Sequence, residues 1–172
     1  AFGAEIVLTE GKKGMGGAIA EAERLHRKTP GSIIAGQFTN PANPAAHYAT
    51  TGPELWEESG GSLDCFVAGV GTGGTFTGAA RYLKEKNPSL RAIAVEPAGS
   101  PVLSGGKAGP HGLQGIGAGF VPENYDASLA DEVICVKEED AFAAARAVAK
   151  TDGVFAGITS GAALFAAAQL AK

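Results

Sequence analysis

The chain has 172 residues, room for one domain or somewhat more, and enough to bury a core without disulfide or metal staples. Fourteen Lys and Arg against eighteen Asp and Glu give a formal charge of −4, which argues against a nucleic-acid or anionic-membrane surface, and 45% apolar with 19% charged residues is too apolar for a disordered chain. No apolar run approaches the ~18–20 residues that span a bilayer. Glycine stands out at 26 of 172 residues, about twice its usual ~7% share and without a collagen period, so many backbone positions must turn sharply or approach something closely.

Short β-rich runs alternate with helical runs. AEIVL at 4–8 predicts a strand. A helix is predicted over 16–28, with Ala18, Ile19, Ala22 and Leu25 on one face and Pro30-Gly31 as its stop. SIIA at 32–35 predicts another strand. The run 37–44 (QFTNPANP) reads as a turn-rich linker, followed by helices over 45–50 and 53–58 that break at Gly52-Pro53. A strand at 65–70, a glycine loop at 71–75, a helix at 76–86 and a strand at 92–95 make one βαβ unit, whose crossover is expected to be right-handed. Seven glycines between Gly105 and Gly119 mark a long loose loop. Beyond it lie a strand at 133–136, an alanine-rich helix at 139–150, a short strand at 154–156, and a last helix beginning near Ala162. The pattern is α/β, and the alanine-rich helices imply close packing on a sheet. The chain opens on Ala-Phe-Gly-Ala without an initiator Met or a signal-peptide pattern and closes inside a helical pattern, so both ends read as cuts through a longer polypeptide.

Cys65 and Cys135 lie in apolar runs with no CxxC and no neighbouring His, which predicts buried free thiols of an intracellular protein rather than zinc ligands. His26, His47 and His111 show no ligand spacing either, so no metal site is expected.

Two places could carry chemistry. The loop Gly69-Val70-Gly71-Thr72-Gly73-Gly74-Thr75 joins a strand to a helix, where unpaired helix N–H groups and the positive end of the dipole converge. Glycines let backbone amides reach an anion, Thr72 and Thr75 add hydroxyls, and no lysine follows the last glycine, so a nucleoside-triphosphate P-loop is excluded. Three readings stand side by side: a phosphate-bearing cofactor, a dinucleotide site and a tight structural turn. The dinucleotide reading rests on Gly69-x-Gly71-x-x-Gly74 with Glu96 ending the next strand, where a ribose-binding acid would sit. The second place is 157–163 (GITSGAA), where Thr159 and Ser160 read as helix N-cap residues or as ligand-facing hydroxyls at a carboxyl-terminal sheet edge.

Five segments in order, QFTNPANPAAHYATTGPELW (37–56), GVGTGGTFTG (69–78), VEPAGSPVLSGG (95–106), LQGIGAGFVP (113–122) and GITSGAA (157–163), together resemble the cysteine synthases, or O-acetylserine sulfhydrylases, of the fold-type II pyridoxal-phosphate enzymes. The forms of the second and fourth segments favour the sulfide-using A-type over the B-type isozyme or a cystathionine β-synthase. The resemblance implies a three-layer αβα fold like the tryptophan synthase β-subunit, here incomplete, with 1–40 ending a small mobile domain and 41–172 forming most of the large cofactor domain. It places Gly71, Thr72, Gly73, Gly74 and Thr75 on the cofactor phosphate. Thr159 would face the pyridine nitrogen where the family more often has Ser, with Ser160 as the fallback. A neutral hydroxyl there does not stabilise a protonated ring as a carboxylate would, which suits β-elimination and replacement. Gln37 and Phe38 would line the amino-acid substrate, although strand-end packing is the plainer reading of those residues alone, and Gly115 and Ile116 would belong to a loop closing over it.

The same resemblance implies pyridoxal 5′-phosphate as cofactor, O-acetyl-L-serine and sulfide as substrates, L-cysteine and acetate as products, a cytoplasmic homodimer, and the C-terminal tail of serine acetyltransferase as a possible partner. The departure from the family is large. The family's Schiff-base lysine, in an S-x-K-D-R-like context, and its TSGNTG-like substrate loop have no counterpart here, and Lys12, Lys13, Lys84, Lys107 and Lys150 read as solvated charges. No catalytic residue is therefore assigned, and the chain by itself is expected to be inactive. The alternatives are a cystathionine β-synthase-like enzyme or, from another functional class, a non-catalytic scaffold of the family, with a nicotinamide-dinucleotide protein ranked after them.

Overall fold

The computed structural model describes residues 2–171, and the chain divides into two compact units, Ala1–Gly36 and Gln37–Lys172. In the first, a 3-10 turn (Gly11–Lys13) leads into helix α1 (Gly14–Lys28), which starts two residues before the predicted point. Ala18, Ile19, Ala22 and Leu25 are all half-buried, as their spacing requires, and the Glu21 carboxylate holds Arg24 at 2.5 Å. The predicted strands at 4–8 and 32–35 do not form. Ile6, Leu8 and Ile33 are instead 71%, 88% and 91% exposed, because β-prone composition becomes a strand only where a neighbouring strand meets its backbone groups and covers its apolar face.

The second unit opens with helices α2 (Ala42–Ala49) and α3 (Thr51–Glu58), followed by β1 (Cys65–Gly69), α4 (Gly74–Lys86), β2 (Arg91–Pro97), β3 (Glu132–Val136), α5 (Glu138–Thr151) and α6 (Ile158–Leu170). The strands form a parallel sheet in the order β1-β2-β3, with Val67 opposite Ile93 and Ile93 opposite Glu132. A parallel sheet needs helices on both faces, and its middle strand shows the consequence: β2 is buried from Ala92 to Pro97. Successive residues of β2 serve opposite layers. Ala92 and Ala94 join Val70, Phe76, Ala80, Leu83 and Leu90 in one cluster, against which Leu55, Trp56 and Tyr82 pack. Val95 joins Leu113, Val136, Ala141, Ala162 and Ala166 in the other. The result is the expected αβα arrangement of three layers.

Several expectations need correction. The run 154–156 is not a strand, and Val154 and Phe155 are exposed. The last helix begins at Ile158, four residues before the predicted start, with extended Gly157 at its N-cap (φ −70°, ψ 165°), so Thr159 and Ser160 are second- and third-position helical residues and not caps. The cysteines are free but not buried: Cys65 is half-buried and Cys135 exposed, since both lie on the outer strands of a three-stranded sheet. Partial burial still pushes the Cys65 thiol pKa up. Lys84 is not merely solvated; its ammonium sits 2.6 Å from Asp131 and, with the Ala92 amide, holds that carboxyl below the usual range.

Helix α2 reaches α4 through Gly78, where a Cβ would collide with the Pro44 carbonyl oxygen and lie 2.7 Å from the His47 Cβ. An ordinary helical Gly→Ala change is stabilising by roughly 0.5–1 kcal/mol. Here the obstacle is backbone, so Gly78→Ala is expected to lower unfolding free energy by about 1–3 kcal/mol in urea titrations, and an increase would show that the two helices do not meet at this point.

Candidate cofactor site

Strand β1 ends at Gly69, and its neighbour Val70 still donates to the Val95 carbonyl at 3.0 Å. The chain then turns through Gly71, Thr72 and Gly73 into α4, with Gly73 as N-cap in the left-handed region at φ +86°. A side chain is barred there twice over, because a Cβ would also stand 2.7 Å from the Tyr125 nitrogen. At Gly71 a Cβ would collide with the Gly115 carbonyl oxygen, and at Gly74 with the Asn43 side-chain amide. In the sequence these glycines fit the close approach of a ligand; in the structure the chain's own segments fill the space a Cβ would need.

The amides tell a different story. Among the described residues, the N–H groups of Gly71, Thr72, Gly73, Thr75 and Phe76 reach no acceptor, and that of Gly74 makes only a long 3.4 Å contact with Thr72 Oγ1. These donors cluster at the positive end of α4, in the place that first-turn geometry makes receptive to an anion. An N–H to a charged oxygen contributes about 1.5–3 kcal/mol, against about 0.3–1 kcal/mol for the dipole, so directed donors dominate the holding.

Two asparagines missing from the sequence assignment tie the surrounding segments to this loop. Asn43 Nδ2 donates to Thr72 Oγ1 at 2.9 Å and to the Gln37 carbonyl at 2.8 Å. Asn124 Nδ2 donates to the same carbonyl at 2.9 Å, and its backbone N–H donates to the Phe38 carbonyl at 3.1 Å. Gln37 and Phe38 are thereby fixed beside the loop, with the buried Phe38 ring edge-on to Phe120 at 5.1 Å. Gly115 and Ile116 come to the same place: Ile116 Cγ2 lies 2.9 Å from where a Gly69 Cβ would be, and Gly117 N–H donates to the Val70 carbonyl at 3.0 Å. The NPANP run carried the signal for Asn43, a polar amide directly before Pro44 in a turn-rich run, but nothing in the local sequence marked Asn124.

Thr159 and Ser160 are less closely tied. Their helix packs on β1, and Ile158 shares the second apolar cluster with Ile116 and Val67. Neither hydroxyl has a hydrogen-bond partner among the described residues, and the amides of Ile158 to Ser160 precede the first intrahelical bond, which runs from Gly161 N–H to Gly157.

Glu96 does not fit the role of ribose-binding acid. It is 1% exposed, and its carboxylate accepts from Leu103 N (2.7 Å), Ser104 N (2.9 Å) and Ser104 Oγ (2.6 Å), folding the 100–105 turn onto the end of β2. A separate cleft of about 930 Å³, lined by residues such as Tyr48, Arg81, Glu85, Tyr125 and Asp126, does not include the glycine loop. Its charged groups are largely paired, Arg81 with Asp126 at 3.4 Å and Glu85 with the Tyr48 hydroxyl at 2.6 Å.

The family description "Pyridoxal-phosphate dependent enzyme" matches residues 1–172, and the chain belongs to that family. It is 50% identical over 179 residues to cysteine synthase A of Escherichia coli K12, covering 99% of this chain and 55% of that protein. Against cysteine synthase of Staphylococcus aureus it is 50% identical over 173 residues, covering 100% and 56%. A crystal structure of cysteine synthase from Entamoeba histolytica superposes with a TM-score of 0.89 at 52% identity, covering 96% of this chain and 49% of that one. The chain therefore spans about half the length of the curated relatives it matches, and its fold is the fold-type II, tryptophan synthase β-like one.

Replacing Glu96 by Ala strands two backbone amides and a hydroxyl. Glu96→Ala is expected to cost about 2–4 kcal/mol in urea unfolding. Loss of nicotinamide-dinucleotide binding without loss of stability would instead restore the ribose-binding role.

Proposed function

We propose that this chain is the phosphate-holding portion of a cysteine synthase, a cytoplasmic enzyme that replaces the acetoxy group of O-acetyl-L-serine with sulfide to give L-cysteine and acetate. The observation that carries this reading is the run of amides without an acceptor among the described residues, those of Gly71, Thr72, Gly73, Thr75 and Phe76, at the start of α4, in a chain 50% identical to two cysteine synthases over its whole matched length.

In this reading the amides of Gly71, Thr72, Gly73, Gly74 and Thr75 bind the phosphate of pyridoxal 5′-phosphate. That cofactor supplies the electron sink for elimination and replacement at the substrate's β-carbon. Asn43 orients Thr72 toward the loop while fixing the Gln37 carbonyl, so one side chain sets both the phosphate end and the substrate-lining segment. Gln37 and Phe38 position the amino acid, and Gly115 and Ile116 shield it from water. The hydroxyl of Thr159, or that of Ser160, would be the partner of the ring nitrogen, a neutral group that does not stabilise a protonated ring. Residues 1–40 end the small mobile domain and 41–172 form most of the cofactor domain. A homodimer is the proposed assembly, and the C-terminal tail of serine acetyltransferase is a candidate occupant of the same cleft.

The Schiff-base lysine and substrate-carboxylate loop implied by the family are not among these 172 residues, so the division of labour is testable. The 172-residue chain is expected to bind pyridoxal 5′-phosphate but not pyridoxal in equilibrium dialysis, and to show no turnover of O-acetylserine and sulfide. Gly71→Ala, which would drive the loop from the Gly115 carbonyl, is expected to weaken that binding by about tenfold or more, the equivalent of one charge-assisted hydrogen bond. Equal binding of pyridoxal and its phosphate would sink the assignment.

A further inference from the structure

The anion site leans on a side chain that never faces its centre. His47, on α2, places Nε2 3.0 Å from Thr75 Oγ1 and Nδ1 2.9 Å from Thr51 Oγ1. The packing of α2 on α4 through Gly78 brings the ring there. We propose that His47 is a positioning residue that keeps a proton on Nε2, so that the Thr75 hydroxyl accepts from the ring and is left free to donate to a phosphate oxygen. This rests on the proposed phosphate-holding role of the glycine loop.

Hydrogen-bond direction decides the matter. Each contact holds a single proton, and a neutral imidazole has one donor and one acceptor nitrogen. With Nε2 bare, the 3.0 Å contact is made only if Thr75 donates to the ring, which leaves lone pairs alone to meet an anion. With Nε2 protonated, Thr75 accepts from the ring and its own O–H is released. Thr51 then completes the relay by donating its hydroxyl proton to Nδ1, as an outer partner of an imidazole commonly fixes its tautomer. Donation runs one way, from Thr51 to His47 to Thr75 to the anion, and bonds aligned in this manner polarise one another. An incidental helix spacer at position 47 would have no need of a nitrogen at each end of this line.

The test uses the 172-residue chain with 15N-labelled histidine, and His47→Gln to assign the His47 signals among the three histidines. With saturating pyridoxal 5′-phosphate or inorganic phosphate, the two-bond 1H–15N spectrum is expected to show a protonated Nε2 on His47. By dialysis, His47→Ala is expected to raise the Kd for pyridoxal 5′-phosphate by about five- to tenfold and leave that for pyridoxal unchanged. His47→Gln, whose amide can donate from nearly the same point, should stay within about threefold of wild type. Thr51→Val, remote from the ligand, is expected to weaken phosphate binding in the same phosphate-selective way. A bare Nε2 in the phosphate-bound chain, or an unchanged Kd for His47→Ala, would overturn this inference alone. A wild-type chain that bound neither phosphate compound would overturn the phosphate reading with it.

Discussion

A set of backbone N–H groups at the start of α4, with no acceptor among the described residues, is the constraint on which the rest of the site turns. Their lack of acceptors follows from topology. A parallel strand that feeds directly into a helix through a glycine turn cannot satisfy the first-turn amides from within, and Gly73 makes the turn in the left-handed region. No charged side chain is needed for such a site to hold an anion, and among the described residues no lysine belongs to its hydrogen-bond network.

What distinguishes the turn from an ordinary helix start is the framing. Three segments remote in sequence converge on it: 37–43 through Asn43, 115–117 over Gly69 and Gly71, and 124–125 against Gly73. Small residues set the distances. Gly78 admits α2, and Gly161 lets α6 approach α5 so closely that a Cβ would meet the Ala141 carbonyl. Around this turn the glycines thus serve the packing of the chain against itself, whereas others, such as Gly105 and Gly153, stand in open space at positive φ and serve turns. Buried Glu96 extends the same logic by converting the 100–105 turn into a fixed wall through three donors to one carboxylate.

Much of this was legible in the residues. The βαβ unit around Gly69 to Pro97 was readable because a short apolar run, a glycine cluster and an amphipathic stretch follow one another with the right lengths. The segments at 4–8, 32–35 and 154–156 failed as strands for a shared reason: strand formation is a property of pairs, and local composition reports only one partner. The start of α6 was misplaced because Thr159 and Ser160 resemble caps, whereas extended Gly157 takes that position without a side chain. The roles of Asn124 and of the His47–Thr75 contact could not be inferred from pattern, since they depend on which residues meet across 28 or more positions of sequence. Glu96 misled through spacing alone; its burial and the donors that already occupy its carboxylate decide against the dinucleotide role.

Directed amides, more than any side chain, are proposed to hold the phosphate, and a crystal structure of this chain with pyridoxal 5′-phosphate tests that most directly. Phosphate oxygens are expected within hydrogen-bond distance of the Gly71, Thr72, Gly73 and Thr75 nitrogens, with the Thr75 hydroxyl also in contact. A phosphate seated elsewhere, with those amides facing water, would contradict it.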